Sequence, residues 1–259
     1  MNQKPLGKSG SKISEIGQGT WAYHSGVEAL RTGISLGATH VDTAEMYGTE
    51  GKVGEAIADR RDAVFLATKV SPQHLHYEDV LRAAEGSLSR LNVKTVDLYM
   101  IHWPNSRIPI QETMKAMEEL VNKGKIRYIG VSNFSVEELK DAQEAMSSHE
   151  IVSNQVQYNL ENRDAEKELI PYCKTEKITL VPYSPLSRGA VTRKEDAVLE
   201  KIGTKYKKTK AQVVLNFLTR EEYVVAIPKS DDISHVKENC EASGWRLSNE
   251  DIRMIDEKF

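Results

Sequence analysis

Four side chains that can hold or move a proton stand at the ends of short apolar stretches in the first half of the chain. Asp42, Lys69 and His102 each end such a stretch, and Tyr47 follows Asp42 closely. Parallel α/β enzymes present their reactive groups at the carboxyl ends of strands, so these four side chains are expected to open onto one face. The spacing therefore predicts a single catalytic constellation.

The four residue types suit the delivery of a proton to a carbonyl oxygen. The phenol of Tyr47 is a poor acid at neutral pH, but the ammonium of Lys69 stabilises a phenolate, and Asp42 can orient that ammonium. His102 can hydrogen-bond a carbonyl oxygen as negative charge develops on it. This combination indicates carbonyl reduction, and because no side chain supplies hydride, it requires a cofactor.

Apolar stretches of strand type alternate with stretches of helical period along the whole chain. This alternation, with no linker or break in composition, predicts one α/β domain over residues 1–259 that forms a single (β/α)₈ TIM barrel. An open doubly wound sheet is the alternative. The predicted strands cover 15–19, 39–42, 64–69, 96–102, 126–131, 152–155, 178–182 and 223–227. The predicted helices include 26–36, 77–91, 110–123, 136–146 and 165–174.

The first strand-to-helix turn argues against a dinucleotide-binding open sheet. Residues 17–22 match the GxGxxA pattern only loosely. The acidic residue that such a sheet needs after its second strand is represented only by Asp42, which lies too close to Tyr47. The barrel is therefore favoured.

The composition excludes several classes of function. Lys and Arg number 35 against 38 Asp and Glu, which gives a formal net charge of −3 without a basic stripe, so no nucleic acid partner is expected. No apolar run approaches the roughly 20 residues of a membrane span, and no signal-peptide pattern is present. We expect a cytoplasmic protein that acts on a small molecule, and a monomer because no surplus apolar stripe stands out.

Cysteine and histidine spacing gives no sign of a metal or a disulfide. Cys173 and Cys240 are far apart and are expected to be reduced, buried thiols. Beyond the pair His74 and His76, which we place in a solvated loop, no histidines have ligand spacing. No metal site is expected. The charged run 205–210 is interpreted as exposed helix surface.

Several longer motifs, in the same order along the chain, carry a resemblance to a known family. The chain reads DTAEMYG at 42–48, DLYMIHWP at 97–104, KIRYIGVSNF at 125–134, PYSPL at 182–186 and IPKS at 227–230. In these motifs the chain resembles the aldo-keto reductases over essentially its whole length. The resemblance implies a nicotinamide-dependent reductase of aldehydes or ketones, with its catalytic tetrad at Asp42, Tyr47, Lys69 and His102 and with Tyr47 as the general acid.

The resemblance also implies which residues hold the cofactor. For the nicotinamide they are Ser132, Asn133, Gln155 and Tyr183; for the loop beside the diphosphate, Ser184, Leu186 and Ser187; for the 2′-phosphate and adenine, Lys229, Ser230, His235, Glu238 and Asn239.

Lys229 points to NADPH as the cofactor. The family often carries arginine where this chain has His235, and a neutral imidazole lacks the permanent charge and the fixed fork of a guanidinium, so NADH use is possible. Asp231 and Asp232 would repel a 2′-phosphate if they faced it.

The substrate pocket is expected to be shallow. The chain stops after a helix-like segment at 247–259, whereas many family members continue into a loop that closes over the substrate. An open pocket bounded by Trp21, Tyr23, His24 and Trp103 is therefore expected to select loosely among carbonyl compounds.

Two other functions share the barrel. One is a nucleotide-binding regulatory subunit, like the channel-associated β subunits, which act mainly through a partner. The other is a phosphosugar enzyme that uses Lys69 as a Schiff base, which leaves Tyr47 and His102 unexplained.

Overall fold

A seven-stranded parallel sheet, in which each strand pairs with the next along the chain, forms the centre of the computed structural model, which describes residues 1–259. A short antiparallel hairpin precedes it. The hairpin consists of β1 (Gln3–Pro5) and β2 (Lys12–Ser14). The sheet consists of β3 (Gln18–Gly19), β4 (His40–Asp42), β5 (Phe65–Val70), β6 (Val96–Ile101), β7 (Ile126–Ser132), β8 (Ile151–Gln157) and β9 (Thr179–Tyr183).

The segment 223–228 closes this sheet into a barrel. On one side Val225 N donates to Leu180 O at 3.1 Å; on the other Ala226 N donates to Glu15 O at 3.0 Å, and Gly17 N donates to Ala226 O at 2.8 Å. The eighth predicted strand therefore occupies its place between β9 and β3, although it is bound by isolated bridges and not by a continuous ladder. The (β/α)₈ fold is confirmed.

Helices surround the barrel. They are α1 (Glu28–Ser35), α2 (Glu50–Ile57), α3 (Tyr77–Leu91), α4 (Ile110–Asn122), α5 (Val136–Glu144), α6 (Leu169–Glu176), α7 (Ala190–Arg193), α8 (Ala197–Tyr206), α9 (Lys210–Leu218), α10 (Ile233–Cys240) and α11 (Asn249–Lys258). Their apolar sides pack on the outer faces of the strands in one large cluster. None of them combines the length and the apolar character that a membrane span needs.

Local sequence signals explain where helices begin. Ser135 and Glu138 form a reciprocal capping box at the start of α5, and Thr209 and Gln212 form another at the start of α9. The charged run 205–210 is not one helix surface, because Lys207 is left-handed (φ 55°) and ends α8 before Thr209 caps α9.

The hairpin seals the base of the barrel. Leu6 and Ile13 are buried against side chains from the barrel interior, among them Leu98 and Met100. Gly7 makes the turn at φ 53°, where a Cβ would lie 2.7 Å from the carbonyl oxygen of Val152. Only glycine meets both conditions.

The two cysteines and the pair His74 and His76 lie in the helices and loops around the barrel. Both cysteines are free thiols, and Cys173 is buried as predicted, whereas Cys240 is only partly buried, so the prediction of a buried thiol is wrong there. His74 contacts Glu45 and His76 contacts Glu112, each with an exposed imidazole. The two histidines therefore face different carboxylates.

Candidate active site

The tetrad comes together at the carboxyl ends of three neighbouring strands. Asp42 is the last residue of β4, Lys69 lies near the end of β5, and His102 follows β6 directly. Tyr47 ends a short 3₁₀ turn, Glu45–Tyr47, that begins after β4. Because these strands are parallel and in sequence order, their ends share one rim of the barrel.

Lys69 is the centre of a buried polar network. Its Nζ donates to Asp42 Oδ1 at 2.6 Å and to the carbonyl oxygen of Thr43 at 2.8 Å, and it reaches the Tyr47 hydroxyl at 3.5 Å. The side chains of Lys69 and Asp42 are 0% and 2% exposed. Three acceptors match the three N–H groups of the ammonium, which fixes its position.

Asp42 is held from both sides. While Oδ1 accepts from Lys69, Oδ2 accepts from Gln155 Nε2 at 2.8 Å, and the Asp42 carbonyl accepts from Thr20 Oγ1 at 2.9 Å. Gln155, expected as a cofactor contact, therefore also orients the tetrad carboxylate. A buried charge with this many partners has one arrangement.

Lys69 is an ammonium in the folded protein. Burial alone would lower its pKa, but the charge of Asp42 and the hydrogen bonds to Asp42 and Tyr47 outweigh burial and raise the pKa above its usual value. A Schiff-base lysine must be neutral to attack a carbonyl. The geometry therefore disfavours the phosphosugar enzyme considered above.

Tyr47 and His102 form the part of the network that faces the cavity. Tyr47 OH lies 3.3 Å from His102 Nε2, and the two rings meet edge-on with centroids 5.3 Å apart. Burial raises the pKa of Tyr47, with Lys69 opposing it, so the phenol stays protonated. Burial, together with the charge of Lys69, lowers the pKa of His102 to about 4, so its imidazole is neutral at pH 7.

The tautomer of His102 follows from its surroundings. Nδ1 is buried and has no hydrogen-bond partner. A buried N–H without an acceptor is rarer than an unused lone pair, so the proton is assigned to Nε2, which points toward Tyr47. His102 can then donate to an oxygen placed beside the phenol.

A cavity of about 970 Å³ begins at the tetrad and extends to α10. Tyr47 and His102 line one part of it, and Trp21 and Trp103 are half-exposed on its wall. The cofactor residues predicted from the sequence that line it are Ser132, Asn133, Gln155, Tyr183, Ser184, Leu186, Lys229, Ser230, His235, Glu238 and Asn239.

Asn133 and Tyr183, which line the cavity, connect to the tetrad residue His102 through hydrogen bonds. Asn133 Nδ2 donates to the His102 carbonyl and to Ser132 Oγ, each at 3.0 Å, while Tyr183 OH donates to Asn133 Oδ1 at 3.0 Å. Asn133 adopts φ 64°, a left-handed conformation that asparagine tolerates better than most residues. The carboxyl ends of β6, β7 and β9 are thus joined to one another by hydrogen bonds.

Besides Lys69, which is fully buried, three predicted site residues lie outside the cavity lining: Tyr23, His24 and Ser187. Tyr23 is buried and its hydroxyl donates to the carbonyl of Gly26 at 2.8 Å, and the exposed side chain of His24 does not reach the cavity. The chain turns at Ala22, whose φ is 52°, which directs both side chains away. Ser187 begins a 3₁₀ turn beside the lining residues Leu186 and Arg188.

Among the lining residues that the sequence analysis did not predict are Arg188, Arg193 and Met46. The Arg188 guanidinium lies 4.9 Å from the ring centroid of Trp21, so the loops after β9 and β3 meet beside the cavity. The sequence signal for the arginines was their position two and seven residues after the motif at 182–186 that the resemblance assigns to the diphosphate. Met46 had a signal too, as an apolar residue next to Tyr47.

The α10 end of the cavity carries opposite charges in contact. Lys229 Nζ pairs with Asp231 Oδ2. Asp232 caps α10 by accepting from the backbone N–H of Ser234 and His235. Asp232 therefore stabilises the N-terminus of α10, whereas Asp231 contacts Lys229, the lysine expected to bind phosphate.

Comparison with known proteins agrees with this geometry. The model of the Aldo/keto reductase family matches residues 14–259. The chain belongs to the aldo-keto reductase family. The methylglyoxal reductase YeaE of Escherichia coli is 37% identical over 273 residues, which cover 100% of this chain and 96% of that relative. The glyoxal reductase of Bacillus subtilis is 37% identical over 254 residues, which cover 96% and 90%.

Solved structures of aldo-keto reductases superpose on the whole chain. A thermostable aldo-keto reductase in complex with the inhibitor epalrestat is 43% identical, with a TM-score of 0.94 and coverage of 99% of both chains. An aldo/keto reductase from Klebsiella pneumoniae, in complex with NADP and acetate, is 36% identical, with a TM-score of 0.92 over 100% of this chain and 96% of that one. The barrel of this aldo-keto reductase is thus shared with cofactor-bound relatives.

Proposed function

We propose that this aldo-keto reductase reduces small aldehydes, foremost 2-oxoaldehydes such as methylglyoxal, to alcohols with NADPH, and that Tyr47 donates the proton. The observation that carries the proposal is the hydrogen-bond chain from Asp42 through Lys69 to Tyr47, which opens into the cavity beside His102. The same chain of groups matches what protonation of a carbonyl oxygen requires.

The cavity fits a nicotinamide dinucleotide. Its volume of about 970 Å³ lies at the upper end of the range for ligand pockets, and it extends continuously from the tetrad to the ammonium of Lys229. Ser132, Asn133, Gln155 and Tyr183 would hold the nicotinamide, and Lys229, Ser230 and the start of α10 the adenosine end. A Klebsiella pneumoniae aldo-keto reductase that is 36% identical was solved with NADPH, which supports this cofactor.

Tyr47, His102 and Lys69 have different roles in the proposed reduction. A nicotinamide cofactor bound in the cavity would supply the hydride that the carbonyl carbon accepts. The carbonyl oxygen accepts hydrogen bonds from Tyr47 OH and His102 Nε2, which lie 3.3 Å apart and can therefore contact the same atom. Tyr47 then transfers its proton to that oxygen, which completes the alcohol. The Lys69 ammonium, 3.5 Å from the phenol oxygen, stabilises the phenolate that remains.

The proposed substrate class rests on the cavity wall and on the relatives. Trp21, Met46 and Trp103 are 51%, 56% and 47% exposed and line the cavity, so the substrate end is apolar and open. A small dicarbonyl needs few contacts beyond the two hydrogen bonds to its reacting oxygen. Two relatives are a methylglyoxal reductase and a glyoxal reductase.

The test is the loss of reduced-nicotinamide absorbance with methylglyoxal, glyoxal, neutral monoaldehydes and sugars, each with NADPH and with NADH. We expect the highest kcat/KM for methylglyoxal or glyoxal with NADPH. A clear preference for sugars overturns the substrate class, and a preference for NADH overturns the cofactor. Cofactor binding without turnover of any carbonyl compound favours the regulatory subunit.

A further inference from the structure

One carboxylate ties together the two loops that flank the α10 end of the cavity. Asp231 Oδ1 accepts the backbone N–H of His24 at 3.0 Å and that of Ser25 at 3.1 Å. Ser25 Oγ donates to the Asp231 carbonyl at 3.1 Å. The other carboxylate oxygen pairs with Lys229 Nζ. Asp231 thus uses one oxygen to hold the loop after β3 and the other to neutralise Lys229.

This ion pair matters because Lys229 is the residue proposed to bind the 2′-phosphate, the group that distinguishes NADPH from NADH. The two cofactors share the nicotinamide, the diphosphate and the adenine, and only NADPH carries a 2′-phosphate. A phosphate bound by Lys229 must compete with the Asp231 carboxylate for the same N–H donors and must also lie near that negative charge. NADH meets neither cost.

We propose that Asp231 restrains the preference of this enzyme for NADPH over NADH, by competing with the 2′-phosphate for Lys229 while its second oxygen fixes the loop at 24–25. The inference rests on the proposed function. Both members of the ion pair are 31% exposed, so the pair is of the surface kind that rearranges when a ligand arrives. Asp231 is therefore a specificity residue and takes no part in the chemistry.

The variant Asp231→Asn separates the charge from the scaffold. Asparagine keeps a side-chain oxygen that can accept from His24 and Ser25, but it removes the negative charge beside Lys229. We expect the Kd of NADPH, measured by quenching of protein fluorescence, to fall by about three- to tenfold, and the Kd of NADH to change less than about twofold. Adenosine 2′,5′-bisphosphate and AMP should repeat the contrast without the nicotinamide.

Asp232→Asn is the matched control, because it removes the same charge one residue away. Asp232 caps α10 and does not contact Lys229, and asparagine is an equally good cap. We expect this variant to leave the ratio of the two dissociation constants unchanged.

Asp231→Ala removes both roles. We expect the ratio to shift toward NADPH as in Asp231→Asn, while both cofactors bind more weakly by a common factor, because His24 and Ser25 lose their acceptor. Equal changes for both cofactors in Asp231→Asn, or a ratio shifted toward NADH, overturn the inference and leave the proposed function intact. A wild-type protein that binds neither cofactor overturns the proposed function itself.

Discussion

The two ends of the cavity each contain a lysine–aspartate pair, and the pairs differ in burial. At the tetrad, the side chains of Lys69 and Asp42 are 0% and 2% exposed; at the α10 end, those of Lys229 and Asp231 are both 31% exposed. The buried pair is locked by further hydrogen bonds, whereas the exposed pair is screened by water and can exchange partners. The same two residue types thus give a fixed ion pair at one end of the cavity and an adjustable ion pair at the other.

The largest expected effect concerns the fixed end. Tyr47→Phe removes the proposed proton donor and leaves the ring, so kcat should fall about a thousandfold while the Kd of NADPH stays within about twofold. Steady-state kinetics with methylglyoxal and fluorescence titration of NADPH check the two halves.

Tyr128→Phe is the control for Tyr47→Phe. The Tyr128 hydroxyl contacts Ser11 at the base of the barrel, 2.7 Å away, and does not line the cavity. This variant should retain near-normal kcat. Substantial turnover by Tyr47→Phe would contradict the assigned role.

Removing the lysine from each pair tests the comparison directly. Lys69→Met leaves the Asp42 carboxylate buried without its counterion and should lower the free energy of unfolding by about 3–5 kcal/mol. Lys229→Met removes the exposed partner and should cost less than about 1 kcal/mol. Urea unfolding of both variants gives the two values, and equal losses would refute the distinction between the ends.

Acid should destabilise the folded barrel through His40, a histidine of the strand that ends at Asp42. His40 lies in β4 two residues before Asp42, its imidazole is fully buried and neither ring nitrogen has a hydrogen-bond partner, and burial lowers its pKa from 6.5 to about 4. As the pH falls from about 6.5 toward 4, the unfolded chain binds a proton that the folded chain does not. The stability present near pH 7 is therefore lost over that interval, by up to about 3 kcal/mol from this group.

The variant His40→Gln should reduce this acid sensitivity without abolishing it, because the pKa of His102 is also lowered to about 4. Urea midpoints near pH 7 and near pH 4.5 measure the effect. His24→Gln, which changes an exposed histidine, should keep the wild-type pH dependence. If the urea midpoint of His40→Gln falls between the two pH values by as much as that of the wild type, His40 is not the titrating group.

The smallest effect belongs to the adjustable end. His235 is exposed in the first turn of α10 and lines the cavity. His235→Arg adds a permanent charge and a fork of N–H donors, so the Kd of NADPH should fall about fivefold with little change for NADH. His235→Lys should give a smaller gain, since an ammonium lacks the fork. Equal gains for both cofactors would place residue 235 away from the 2′-phosphate.

The sequence alone was sufficient to predict the barrel and to bring the tetrad together. Strand ends are marked by a change from apolar to polar residues, and parallel strands in chain order leave their ends on one rim. Asp42, Lys69 and His102 follow this rule. The eighth strand was also predicted in place, although its backbone forms only bridges.

Loop residues could not be placed in the same way. Tyr23 and His24 follow a left-handed residue, Ala22, and no period in the sequence reports the direction that a side chain takes after such a turn. Arg188 is itself left-handed at φ 54°. Its approach to Trp21 depends on two loops that are far apart in the chain, which only the folded barrel brings together.

The hairpin at the base of the barrel bears on the order in which the protein is made. Gly7 N donates to Thr179 Oγ1 at 2.8 Å, and Lys4 Nζ donates to the carbonyl of Glu221 at 2.6 Å. These hairpin residues thus have partners that are synthesised 172 and 217 residues later. The base of the nascent barrel therefore stays open until those partner residues have been synthesised.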